Sequence, residues 1–140
     1  MHRFILLCCL FLGVVFAARA EQPQLLCSEP KDMLTQAECL RQELRKAEKI
    51  LTEYLATAQA KIDKQNGGKP QLAASQEAWL QYRKAECSDA YEYEDGGSLR
   101  YLADLNCYIE ATRSRTHAIW STYIRGFGGE VPVLPEPDWH

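Results

Sequence analysis

The sequence predicts an all-α fold: a small antiparallel three-helix bundle stapled by two disulfides. Three observations carry this expectation. Apolar residues recur at steps of three and four along three stretches of chain. Breaks rich in Gly at 66–70 and 94–97 separate those stretches by the few residues that an antiparallel turn needs. Four cysteines follow an N-terminus of export type, an even number in an oxidising compartment.

Taken in order, residues 1–20 read as a signal peptide. Arg3 gives a positive start, Phe4 to Phe16 is apolar, and Ala18-Arg19-Ala20 supplies small residues for cleavage before Glu21. The apolar run is shorter than the roughly 20 residues a membrane-spanning helix requires. No cysteine follows a small residue at the end of that run, so no lipid anchor is expected. The expected product is periplasmic or secreted, with no membrane anchor after cleavage. It has 120 residues and 14 basic against 19 acidic side chains, because Arg3 and Arg19 leave with the leader, for a formal charge of −5. With no basic stripe, nucleic acid is not an expected partner. Residues 21–125 are expected to form one helical domain, and 126–140 a Pro/Gly-rich C-terminal tail.

The first helix is predicted over about 31–64. Leu40, Leu44, Ala47, Leu51, Tyr54, Ala58 and Ile62 share one face, and Arg41, Glu48, Lys49 and Glu53 lie opposite. Asn66-Gly67-Gly68-Lys69-Pro70 ends it, and Pro is tolerated in the first turn of the next helix. The second helix, about 70–91, carries a stripe of Leu72, Ser75, Trp79, Tyr82, Arg83 and Cys87. After the turn at Glu94-Asp95-Gly96-Gly97, Ser98 is the expected N-cap of a third helix running to about Ile124. Its seam is Ser98, Leu102, Leu105, Ile109, Thr112, Thr116, Ile119 and Tyr123. Gly126 and Gly128-Gly129 stop it. The last ten residues, with three prolines, are expected either to be disordered or to lie on the bundle through Val133, Leu134 and Trp139.

The cysteine pairing follows from helical rise. Cys87 lies ten residues before Gly97 and Cys107 ten after it, so an antiparallel hairpin brings them level. Cys39 is offset from Cys87 by ten positions, roughly 15 Å at helical rise, whereas a disulfide needs Cα atoms within about 7 Å. The expected bridges are Cys87–Cys107 and Cys27–Cys39.

The segment 76–87 reads Q-x-x-W-x-x-Y-R-x-x-x-C, from Gln76 through Trp79, Tyr82 and Arg83 to Cys87. Gly96-Gly97-Ser98, Cys107, Thr112-x-x-Arg115 and Ile119 follow it. With Cys27, Cys39 and the Tyr54 region upstream, this pattern resembles the lysozyme inhibitor LprI-like N-terminal domain family over roughly Cys27 to Tyr123. The resemblance implies a small exported helical domain and lysozyme inhibition. Trp79, Tyr82, Arg83, Ser98, Thr112 and Arg115 are expected to be structural. Trp79 should sit in the core. Arg83 and Arg115 should bond helix ends or carboxylates such as Glu86 and Glu110, and Ser98 should cap.

Catalytic machinery is not evident. The sequence lacks a serine-nucleophile elbow, a zinc-protease HExxH and a phosphate loop. His117 stands alone in mid-chain, and no close ligand pair suggests a metal, so neither a metal nor a cofactor is expected. One region exceeds what packing requires. Glu86, Asp89, Glu92, Glu94 and Asp95 are five acids within ten residues, accompanied by Tyr91, Tyr93 and Tyr101. Tyrosine offers apolar area with a polar tip, and acidic charge steers cationic partners. The candidate binding residues are therefore Tyr91, Glu92, Tyr93, Glu94, Asp95 and Tyr101, against the plain alternative of a solvated turn. The expected function is non-catalytic binding of a protein partner. One class is an inhibitor of a cationic lysozyme-like or other cell-wall hydrolase, with an immunity protein against a delivered toxin close to it. The other is a structural or assembly module docking on an envelope or secretion-system protein through the tail or a helix face.

Overall fold

A computed structural model describes residues 32–66, 71–94, 96–126 and 131–139. Three helices are present: α1 Met33–Asn66, α2 Gln71–Tyr93 and α3 Arg100–Ile119, the last continued by a π-helical turn at Trp120–Ile124. No strand occurs among the described residues. The expected signal peptide over 1–20, and Cys27 with its expected link to Cys39, lie outside them.

Asp32 starts α1. Its carboxylate accepts the Thr35 backbone N–H at 2.8 Å and so satisfies one of the donors that a helix N-terminus leaves unpaired. That bond also holds the Asp32 carboxyl below its ordinary pKa. The predicted face of α1 is the buried one: Ala47, Leu51, Tyr54, Ala58 and Ile62 are all inside, while Leu40 and Leu44 are half-buried.

The bundle is less symmetric than the sequence pattern suggests. α3 lies in the middle and packs against both α1 and α2, whereas α1 and α2 approach each other little. With one neighbour instead of two, α2 buries only Leu72 and Cys87 among its residues of described burial. Ser75 and Tyr82, expected on its inner stripe, are exposed, and Trp79 is half-buried at the edge of the core.

α3 follows its predicted seam through Leu102, Ile109, Thr112, Thr116 and Ile119, all buried. Then the register slips. The Arg125 backbone N–H donates to the Trp120 carbonyl at 2.9 Å, an i→i−5 bond. The extra residue in this turn moves the inward position after Ile119 from Tyr123 to Ile124, so Ile124 enters the core beside Trp120, whose N–H still bonds the Thr116 carbonyl in α register, and Tyr123 is left half-buried. Ile119, Trp120 and Ile124 join Leu51, Tyr54, Ala58, Ile62 and Leu72 in the main apolar cluster.

Burying Trp120 puts its indole N–H where it needs an acceptor, and the tail provides one. Trp120 Nε1 donates to the Leu134 carbonyl at 3.1 Å, and the Tyr54 hydroxyl donates to the Pro135 carbonyl at 2.8 Å. His117 Nε2 meets Glu136 Oε1 at 3.0 Å, and the Arg113 guanidinium lies 5.5 Å from the Trp139 ring centroid. The segment 131–139 is thus strapped along α1 and α3 through Leu134 and Trp139, while Val133 points outward at 74 % exposed.

Candidate binding surfaces on the α2–α3 hairpin

The hairpin is clamped where helical rise places the clamp. Cys87 and Cys107 form a disulfide with a Cα–Cα distance of 5.5 Å. It is the one bridge with both cysteines among the described residues; Cys39 is disulfide-bonded as well, and its expected partner Cys27 lies outside them. Above it, toward the turn, lies the acidic, tyrosine-bearing end. Below it lie the motif residues of both helices.

The motif residues form one connected clasp. Arg83 Nη1 donates to Thr112 Oγ1 at 2.8 Å and reaches Glu48 of α1 at 3.3 Å. Thr112, fully buried, donates in turn to the Tyr108 carbonyl at 2.6 Å. Arg115 Nε donates to Gln76 Oε1 at 3.0 Å, and its Nη2 to Ser75 Oγ at 3.1 Å. Trp79 sits between the two arginines, with guanidinium carbons 4.8 Å and 5.8 Å from its ring. This arrangement adds to the small apolar contact that Leu72 and Trp79 make with the core in holding α2 on α3.

Three expectations about these residues need correction. Neither arginine pairs with Glu86 or Glu110: the carboxylate that Arg83 reaches is Glu48, and Glu110 is taken by Arg113 at 3.1 Å. Trp79 is not enclosed, because α1 does not cover α2. Ser98 does not cap α3. Leu99, the residue at the cap position, already has helical angles (φ −63°, ψ −25°), and no side chain bonds there. The chain enters α3 through a tight turn in which Arg100 N–H donates to the Gly97 carbonyl, preceded by Gly96 at φ 72°.

The hairpin end is an ordered cluster rather than a set of independent tyrosines. Tyr91 and Tyr101 meet edge to face, with ring centroids 5.5 Å apart. The Arg100 guanidinium covers both rings, at 4.7 Å and 5.6 Å. Their hydroxyls are hydrogen-bonded, which raises the pKa of Tyr91; the same bond, with Arg100 beside it, lowers that of Tyr101. Tyr93 and Leu99, outside this cluster, are 86 % and 58 % exposed, and Tyr101, within it, is 53 % exposed. Glu92 and Glu94 are exposed beside them, and Asp95 lies outside the described residues. Sequence reasoning missed Leu99 and Arg100. Neither belongs to a periodic pattern, and their position depends on how the turn leads into α3.

A second feature lies on the flank of the hairpin, below the disulfide. A groove of about 470 Å³ runs between α2 and α3, walled by Trp79, Tyr82 and Glu86 on one side and Glu110, Ala111 and Arg115 on the other. Partial burial there lowers the pKa of Arg115. Among the described residues, no His/Cys/Asp/Glu cluster is placed to hold a metal ion, and no helix is long and apolar enough to cross a membrane.

No curated protein and no solved structure matches the chain. The family model described as lysozyme inhibitor LprI matches residues 27–119, which takes in the clamp, the clasp and the tyrosine-bearing end, and the chain belongs to that family.

Proposed function

We infer that this chain is an exported, non-catalytic protein that inhibits a cationic, lysozyme-like cell-wall hydrolase, and that the end of the α2–α3 hairpin makes the contact. Membership of an inhibitor family supports the activity class. The observation that carries the choice of surface is the exposure of Tyr93, Leu99 and Tyr101 together at one end of a disulfide-clamped hairpin. Three large side chains left in water at one place make an interaction patch. Glu92 and Glu94 give it the charge that would steer a basic enzyme, and the Tyr91–Tyr101–Arg100 cluster holds it in shape before binding, which lowers the ordering cost. The leader-like residues 1–20 and the Cys87–Cys107 bridge support export. The packing of 131–139 on α1 and α3 favours this reading over a module that docks through a free tail.

The test is inhibition of a C-type lysozyme by the purified protein at several salt concentrations. The wild type is expected to inhibit, more strongly at low salt. The variant Glu92→Ser, Glu94→Ser, Asp95→Ser should lose about tenfold in potency and most of the salt dependence. An unchanged potency and salt slope would remove the hairpin end as the contact, and absence of inhibition by the wild type would remove lysozyme as the target.

A further inference from the structure

We propose that the groove between α2 and α3 docks a segment of a partner protein that presents one acidic and one basic side chain with an apolar residue between them. This site lies on the flank of the hairpin and is independent of the lysozyme reading.

One end of the groove holds an unmatched positive charge. Arg115 is half-buried and spends Nε and Nη2 on two neutral side chains, Gln76 and Ser75. Among the described residues no carboxylate lies within ion-pair distance of it, and its Nη1 donates to nothing. By contrast, Arg83, Arg113 and Arg45 each have a carboxylate within 3.5 Å. A partly desolvated guanidinium with donors to spare is a ready partner for a planar carboxylate. At the other end of the groove the sign is reversed. Glu86 lines this end, with no cation within ion-pair distance among the described residues. Glu110 lies on the facing wall.

The spacing sets the ligand. The Cys87–Cys107 bridge fixes one level on both helices. Glu86 lies one residue from that level and Arg115 eight residues, so their positions differ by roughly 10 Å along the groove. An extended peptide covers that distance in about three residues. Between the two charges the wall is Tyr82, 57 % exposed, facing Ala111, whose small side chain leaves the room, while Trp79 lies level with Arg115. An apolar side chain fits there. A wholly acidic segment would be repelled by Glu86 and Glu110, and a wholly basic one by Arg115.

The test uses peptides as probes with the isotope-labelled protein. Acetyl-Lys-Leu-Ala-Asp-amide should shift the NMR signals of the Trp79 indole N–H and the Arg115 Nε–H and saturate below about 5 mM. The neutral isostere acetyl-Gln-Leu-Ala-Asn-amide should not. Glu86→Gln changes an exposed residue outside the clasp, and it should weaken the charged peptide about fivefold, the scale of one exposed charge contact. Arg115→Gln should weaken it further. Because Arg115 also holds Gln76 and Ser75, the Glu86 variant is the deciding one if Arg115→Gln misfolds. No shift up to about 10 mM, equal binding of the neutral peptide, or an unaltered affinity in Glu86→Gln would each overturn the proposal. None of these outcomes depends on lysozyme.

Discussion

The pair Thr112→Val and Thr116→Val isolates the contribution of the arginine clasp. Both threonines are fully buried, they lie one turn apart on α3, and each hydroxyl donates to a backbone carbonyl four residues back. Valine preserves their shape. The difference between them is Arg83, whose Nη1 donates to Thr112 Oγ1 at 2.8 Å. Removing an acceptor from a charged donor costs about 1.5–3 kcal/mol when water cannot replace it. The Arg83 side chain is 13 % exposed and its Nε already lacks a partner, so little water is at hand. Glu48 stays within 3.3 Å and offsets part of the loss, which places the expected cost of Thr112→Val at about 2 kcal/mol. Thr116→Val gives up only a bond to a carbonyl already inside the helix, about 0.5 kcal/mol or less. In a domain of this size, 1 kcal/mol moves the melting temperature by about 4–6 °C. Thermal unfolding followed by far-UV circular dichroism should therefore separate the two variants by roughly 8 °C. A double-mutant cycle of Thr112→Val with Arg83→Met should return most of that difference as coupling. If the two valine variants melt together, Arg83 is held by Glu48 and the aromatic rings alone, and the clasp as described is wrong.

The other predictions concern the clamp and one carboxylate. Cys87 and Cys107 are 20 residues apart, so replacing both by Ala should destabilise the protein by about 3 kcal/mol through the freed unfolded chain; urea unfolding showing a loss under about 1 kcal/mol would contradict this. Asp104 is held above the ordinary aspartate pKa of 3.8 by partial burial. The folded state then binds its proton more tightly than the unfolded chain does. The stability it contributes is complete below 3.8 and is lost as pH rises through the raised value. Asp104→Asn should accordingly melt higher than the wild type near neutral pH and level with it at about pH 3. An equal gap at both pH values would show that the effect is not titration of this carboxyl.

Much of the architecture is local and was therefore legible in the residues. Helical periodicity, the Gly-rich breaks and the ten-and-ten spacing of Cys87 and Cys107 about Gly97 depend only on a fixed rise and a fixed number of residues per turn. The acidic, tyrosine-bearing end could be located in the same way, because it is contiguous in sequence. The motif around Trp79 also stands out in the sequence, which does not reveal which partners each arginine takes.

What the tertiary structure alone decided comes from helix order and rotation. α3 occupies the centre and leaves α2 with one neighbour. A stripe that periodicity marks as inner is for that reason half outside, with Tyr82 exposed and Trp79 at an edge. A single π turn at Trp120–Ile124 puts Ile124 in the core in place of Tyr123, and the proline-rich tail meets the demand of the buried Trp120 indole N–H. Periodicity identifies which side chains share a face. It carries no information on how many neighbours that face meets, nor on one extra residue in a turn, because both are fixed by long-range packing and by partners far away in the chain.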